Sequence, residues 1–440
     1  MPDKNRISVV LATAIGLGAI IGAGIFVLSG TAIALAGRNA LIAFLLVGIV
    51  ALIVGFELSE LGSIMPKASG GAYSYTYKAF GSELGFMTGI LLYFSYATSI
   101  SVVALGFGSY LASILGIGAA AYPIIFAISL IFALAIVNIF GIRKAAKLDF
   151  GLVVIKIAIL AIFIGFAFVV AFSARQPLIN LSSIQPSSSG LGAILAASVV
   201  IFFAYTGFQT ISTLTNKIKG GGSGATKAII ASIIISIVLY VLVTFGLMLL
   251  LPAGLYKISA DPLSFALKTS NAPYWIFMLV GIGALIATAS ATLADMLSSS
   301  RMLHQMSSDK LLPRFIGLYD RKRDAATNGV ILSAVVGVIM LFSGNIYVIA
   351  AIANFGLLFS YLMTSFAVLH FRKRKAAPGF KTPLYPYLPV IAIIALMVFL
   401  IGLPKEALLI GVVLIISLII VYYTLREYED KKVVRIKLFR

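Results

Sequence analysis

The 440-residue chain has no cysteine, which excludes disulfides, thiolate metal sites, a cysteine nucleophile and a disulfide-linked accessory subunit. Histidine is nearly as scarce. His304 and His370 both fall near expected helix ends, and neither has a second histidine at ligand spacing, so the usual basis for a metal site or acid-base chemistry is missing. Charge is thin as well: 11% of residues are charged and 61% hydrophobic, a balance outside the range of soluble domains. The composition is that of an all-α polytopic membrane protein, and it calls for no metal and no cofactor.

Acidic residues are few. There are 14 Asp and Glu against 33 Lys and Arg, a formal charge of +19 that in a soluble protein would suggest nucleic acid. The distribution argues otherwise. At about twenty residues per crossing, apolar runs place spans at 8–36, 40–63, 84–116, 121–141, 148–173, 190–215, 227–252, 274–303, 328–343, 346–370, 387–403 and 406–425. Of the 33 basic residues, 27 fall on the side of the N-terminus. Five fall on the other side, namely Arg38, Arg175, Lys257, Lys268 and Lys405, and Lys156 lies inside a span. The positive-inside rule then sets both termini in the cytoplasm of a multi-pass cell-membrane protein. The basic charge follows membrane topology and gives no reason to expect a nucleic-acid partner. Lys4 and Arg6 before an apolar run have the look of a signal peptide, but the run is longer than a signal peptide's apolar core and is read as a retained span.

That first span contains Gly16, Gly18, Gly22 and Gly24. Glycine weakens a helix by roughly 1 kcal/mol relative to alanine, so the cluster reads either as a broken helix or as a surface for close helix packing. A break inside the bilayer survives only where protein or a water-filled cavity satisfies the freed backbone groups. Half-helix N-termini then face anions and bare carbonyls face cations.

The second span carries Glu57 and Glu60, read as solvated or paired with loop cations, and ends in Pro66-Lys67-Ala68-Ser69-Gly70-Gly71-Ala72-Tyr73. Tyr93, Tyr96, Ser99 and Ser101 give the third span a polarity that suits either a cavity or interhelical hydrogen bonds. Lys156 lies about 12 Å into the fifth span, too deep to snorkel fully, and a cation there costs about 3 kcal/mol or more at the centre. The sixth span reads Phe202-Phe203-Ala204-Tyr205-Thr206-Gly207-Phe208-Gln209, either a second break or one tolerated glycine. The segment Lys219-Gly220-Gly221-Gly222-Ser223-Gly224-Ala225-Thr226 has the composition of a flexible linker and lacks the ending of a phosphate-binding loop. In the eighth span Thr288, Thr292 and Asp295 share a helix face, with Arg301 nearer the end.

Together these residues resemble the amino acid-polyamine-organocation transporter superfamily. The resemblance is carried by Gly22-Ala23-Gly24-Ile25-Phe26, the loop from Pro66 to Tyr73, Ala79-Phe80-Gly81 with Leu84-Gly85-Phe86, and Phe203-Ala204-Tyr205-Thr206-Gly207-Phe208. Arg301-Met302-Leu303 and Asp309-Lys310-Leu311-Leu312-Pro313 extend it, so that it covers nearly the whole chain. The chain departs at Gln209, where relatives often carry an acid, and at Asn216-Lys217, Gly220-Gly221 and Thr226, where they carry a Glu-Glu pair, Asn-Pro and Pro.

The resemblance implies a single transmembrane domain over 1–440, with twelve transmembrane helices in a five-plus-five inverted repeat of the LeuT type. The first repeat is 7–173, the second 190–371, helices eleven and twelve lie in 387–425, and a basic tail follows at 426–440. Broken helices 1 and 6 meet near the midplane. The implied function is secondary amino acid transport by alternating access, as sodium-independent proton-coupled uptake or, alternatively, as exchange of amino acids or amines, with an amino acid, protons and the lipid bilayer as partners. Exposed N–H groups at Ala23, Gly24 and Ile25 would hold the substrate carboxylate. Carbonyls near Phe202, Ala204 and Tyr205 would hold its ammonium, with Ile21 and Phe208 beside it and Phe203 as an aromatic gate. Lys156 matches a lysine of one proton-coupled branch, which Gly141, Arg143 and Asp149 approach in that branch's order. Its ammonium is then expected at the carbonyls of Gly18 and Ile21 and at Ser290. Asp295 either helps a proton leave or arrive, or pairs with Arg301. A channel would need a continuous polar pore, and a membrane enzyme a nucleophile with a base, neither of which the sequence offers.

Overall fold

The computed structural model describes residues 6–22, 24–66, 68, 70–140, 145–173, 190–320, 326–375 and 378–438, with backbone alone at 145–150 and 425–438. Within them the chain makes twelve helical crossings. The first is Val9–Ile20 followed by Gly24–Ala36, and the sixth is Leu191–Ala204 followed by Gln209–Thr213. The others are Ala40–Ile64, Ser82–Leu115, Ala121–Phe140, Ala145–Ser173, Gly221–Leu250, Tyr274–Ser308, Thr327–Met340, Ile346–Lys373, Tyr387–Ile401 and Lys405–Leu438. Their apolar composition makes this inevitable, since in lipid a helix satisfies its own backbone. The last helix continues through the basic tail.

Short elements also lie outside the crossings the sequence suggested, among them three that matter for the packing. A turn at Gly37–Asn39 joins spans one and two, and helices Ala72–Phe80 and Pro262–Thr269 cap opposite sides of the molecule. In the second of these, burial holds the Asp261 carboxyl above its usual range, opposed by nearby Lys268. The glycine run 219–226 is no linker. From Gly221 it forms the start of the seventh span, where a Cβ on Gly222 would lie 2.7 Å from Ser63 Cβ and one on Gly224 2.0 Å from the Lys219 carbonyl. The small residues permit a close crossing.

Spans one, two, six and seven pack on one another, while spans three, four, eight and nine form a second group. Close approaches join the second group and the spans beside it: a Cβ on Gly108 would lie 1.9 Å from the Pro123 carbonyl, and one on Gly356 2.2 Å from that of Leu91. Side chains then bond to neighbouring backbones, as in Ser101 Oγ to Gly337 O at 2.6 Å and Tyr110 Oη to Phe26 O at 2.6 Å. At the end of span two, buried Glu60 forms an ion pair with Arg372 of span ten and accepts the Thr382 N–H at 2.7 Å. Glu57 accepts from Ser365 Oγ at 2.6 Å. Neither acid is solvated, and pairing with a cation holds for Glu60.

Candidate functional site

Both breaks are present, and each lies against the other. The first half of span one stops at Ile20, with the Ile21 N–H bonded back to Leu17 O at 2.7 Å. The second half begins at Gly24, so the N–H groups of its first turn have no intrahelical acceptor. In span six the helix ends at Ala204, and Gly207 has φ +120, a conformation L side chains rarely adopt. A Cβ on Gly207 would lie 2.5 Å from the Ala19 carbonyl carbon, and one on Gly24 2.3 Å from Ala204 Cα. The glycines therefore serve both readings of the sequence, the break and the close packing.

The freed carbonyls are partly satisfied by a residue that sequence reading missed. Tyr240 of span seven has its hydroxyl between Ile20 O at 2.7 Å and Ala204 O at 2.9 Å, the last residues of the two half-helices. Its ring is fixed edge-on against Tyr205 and Phe44, at centroid distances of 5.1 and 6.1 Å. A single tyrosine in the middle of the seventh span was the available signal. The carbonyls of Phe202 and Phe203 accept the N–H groups of Tyr205 and Thr206, both at 3.2 Å, so much of their acceptor capacity is used within the turn.

A cavity of about 270 Å³ lies between the breaks and span eight. Of the expected residues, Gly18, Gly24, Lys156, Phe203, Ser290 and Asp295 line it. Ile21, Ile25, Phe202, Ala204, Tyr205 and Phe208 are buried behind its wall, and Ala23 lies outside the described residues, as do Gly141, Arg143 and the Asp149 side chain. Lys156 is 2% exposed. Its helix starts at Ala145, eleven residues and about 16 Å before it, so the residue lies well inside a continuous helix.

Asp295 accepts a hydrogen bond from Ser99 Oγ of span three and makes no ion pair with Arg301, although both line the cavity. Gln209 is the other hub. Its Oε1 accepts the Gly207 N–H at 2.7 Å and Tyr361 Oη at 2.8 Å, and its Nε2 donates to Tyr96 Oη at 3.3 Å. One neutral amide thereby caps the sixth-span break and joins it to spans three and ten. A carboxylate there would have no proton to donate to Tyr96 and would put a charge in the break. Tyr96, Gln209, Thr210, Ser298 and Arg301 also line a second cavity of about 520 Å³, which leads past Lys217 and His304 toward the N-terminal side.

This arrangement can hold an anion at the start of one half-helix and a cation at the end of another, with ionisable side chains in the same wall. The amino acid permease family matches residues 7–425. A methylthioribose transporter of Bacillus subtilis is 29% identical over 89% of this chain and 87% of its own length. The branched-chain amino acid permease BcaP of Lactococcus lactis is 28% identical, covering 95% and 94%. The serine/threonine exchanger SteT of Bacillus subtilis is 27% identical, covering 89% of each. A crystal structure of a mutant manganese transporter from Eremococcus coleocola shares the fold at TM-score 0.58 and 14% identity, over 97% of this chain and 95% of that one. With a family match spanning all but the ends of the chain, two broken helices and a cavity between them, the protein belongs to the amino acid permease family and is an amino acid transporter of the membrane, not an enzyme.

Proposed function

We propose that the protein is a sodium-independent, proton-coupled amino acid carrier working by alternating access. The observation that carries this reading is the buried Lys156 in the wall of a cavity between two broken helices, beside Gly18 and Ser290. An ionisable amine at that depth is costly, and function is its default explanation. Charged, it ties span five to the freed carbonyls of span one and to span eight. Ser290 Oγ donates to Ala287 O at 2.9 Å and keeps a lone pair for the ammonium. Losing the proton releases that tie, so proton exchange with either side biases the cavity's opening without a metal.

The substrate carboxylate is bound by N–H groups at Gly24 and Ile25, and its ammonium by carbonyls at the end of Leu191–Ala204, with Phe203 over it. Ala23, Ile21, Phe202, Ala204, Tyr205 and Phe208 frame that site, and Asp295 serves the proton route on the side with more basic loops. That charge bias supports cytoplasmic termini in the cell membrane. Exchange is the second reading, supported by the similarity to a serine/threonine exchanger. Proteoliposomes screened with each of the twenty amino acids, first for counterflow and then for net uptake into empty vesicles, test the proposal. Saturable counterflow with net uptake supports a carrier over an exchanger, and loss of accumulation when an imposed pH gradient is collapsed supports proton coupling. Counterflow without net uptake assigns exchange, and flux that does not saturate contradicts a carrier.

A further inference from the structure

At the N-terminal-side end of the eighth span, residues 309–320 fold back against the helix and leave an open cleft of about 580 Å³. The fold-back is well held: Leu311 N–H bonds to Met306 O at 2.9 Å, His304 Nδ1 donates to Gly317 O at 2.8 Å, and the His304 ring stacks on Tyr319 at 4.6 Å. Lys310, Arg314 and Ser308 line the cleft with His304, Tyr319 and Leu318, and neither cation has an ion pair among the described residues. The nearby acids do not line it. Asp309 faces inward, accepting from Tyr73 Oη at 2.7 Å and Gln305 Nε2 at 3.1 Å, and Asp320 lies outside the lining.

The depth of the cleft in the bilayer can be read from the ninth span. That span begins at Thr327 and the eighth ends at Ser308, so the cleft lies in the turn between two crossings, at the membrane boundary. Asn328 Nδ2 donates to Phe315 O at 2.6 Å, which pins the loop at that level. Phe315 and Leu318 are 63% and 59% exposed there. Two large apolar side chains beside two cations without ion pairs, at the level where chains meet headgroups, match the two ends of a phospholipid.

We propose that this cleft binds an anionic phospholipid, its headgroup phosphate on Lys310 and Arg314 and its chains against Phe315 and Leu318. The same helix carries Ser290, Asp295 and Arg301 into the transport cavity, so an occupied cleft steadies the wall that those residues form.

Two cations near an anionic surface contribute about a thirtyfold gain in binding. The full chain, purified in detergent, is titrated with phosphatidylglycerol or phosphatidylcholine, and melting temperature and bound lipid by native mass spectrometry are recorded. Phosphatidylglycerol is expected to raise the melting temperature and stay bound, phosphatidylcholine is not, and Lys310→Gln with Arg314→Gln is expected to weaken retention by about that factor. Phe315→Ser with Leu318→Ser, which leaves every cation in place, is expected to weaken it as well. Retention equal to that of the wild type in both double variants would overturn the site. An equal rise in melting temperature with inorganic phosphate alone would assign the cleft to a soluble anion and overturn the lipid proposal.

Discussion

Replacing Tyr240 with Phe removes one oxygen and leaves the ring where Tyr205 and Phe44 hold it. The hydroxyl carries a single proton between Ile20 O and Ala204 O, at 2.7 and 2.9 Å, and both residues are 1% exposed. In the variant two buried acceptors at half-helix ends lose their shared donor, at a cost of about 1–3 kcal/mol. The apparent melting temperature is expected to fall by a few degrees. The larger effect is expected on substrate, because the hydroxyl fixes the spacing between the helix end proposed to hold the ammonium and the break proposed to hold the carboxylate. If the same energy separates aligned from splayed half-helices, substrate affinity falls roughly fivefold to a hundredfold. Equilibrium binding of the substrate found in the amino acid screen, measured on purified Tyr240→Phe by calorimetry beside its melting curve, checks both numbers. A variant that melts lower but binds with unchanged affinity would show that Tyr240 only packs the core, and the reasoning would fail.

Gly24→Leu is expected to abolish binding and also to lower stability, since even a Cβ would meet Ala204 Cα at 2.3 Å; overpacking of this kind costs about 1–3 kcal/mol or more. Gly22→Val tests the break more cleanly, because a Cβ there meets its nearest neighbour, Ala291 Cβ, at 3.2 Å, far less crowded than at Gly24; lost uptake with folded protein is expected, and normal substrate binding would place the site elsewhere. Asp295→Asn keeps a partner for Ser99 but removes the charge from the cavity wall, so a changed pH profile of uptake is expected with folding intact. An unchanged profile would assign Asp295 a structural role with Ser99.

The first break was legible as one of two readings, because four glycines within nine residues of an apolar span mark either a break or a close packing surface, and the structure shows both. The second was only half legible: a single glycine does not announce a φ of +120, and what forces it is the approach of Ala19 from a span almost two hundred residues away. The run 219–226 misled for the converse reason. Its composition is that of a linker, but Ser63 and the Lys219 carbonyl leave no space for side chains, and packing turns it into helix. Lys156 stood out because a charge in a span is rare. Tyr240 did not, because its partners are backbone carbonyls, which no side-chain pattern records. Gln209 was visible as a departure from relatives, but its three-way hydrogen bonding required spans three, six and ten together.

In the proposed mechanism a proton on Lys156 replaces a metal ion in coupling substrate to the membrane gradient. The most direct measurement is accumulation of labelled amino acid by sodium-free proteoliposomes under an imposed pH gradient, acidic outside, with wild type and Lys156→Met reconstituted at equal density. Wild type is expected to concentrate substrate above the external level and to lose that accumulation when a protonophore collapses the gradient, while Lys156→Met, still folded by its melting curve, concentrates none. Accumulation that requires sodium in the wild type, or that persists under the pH gradient in Lys156→Met, would contradict the account.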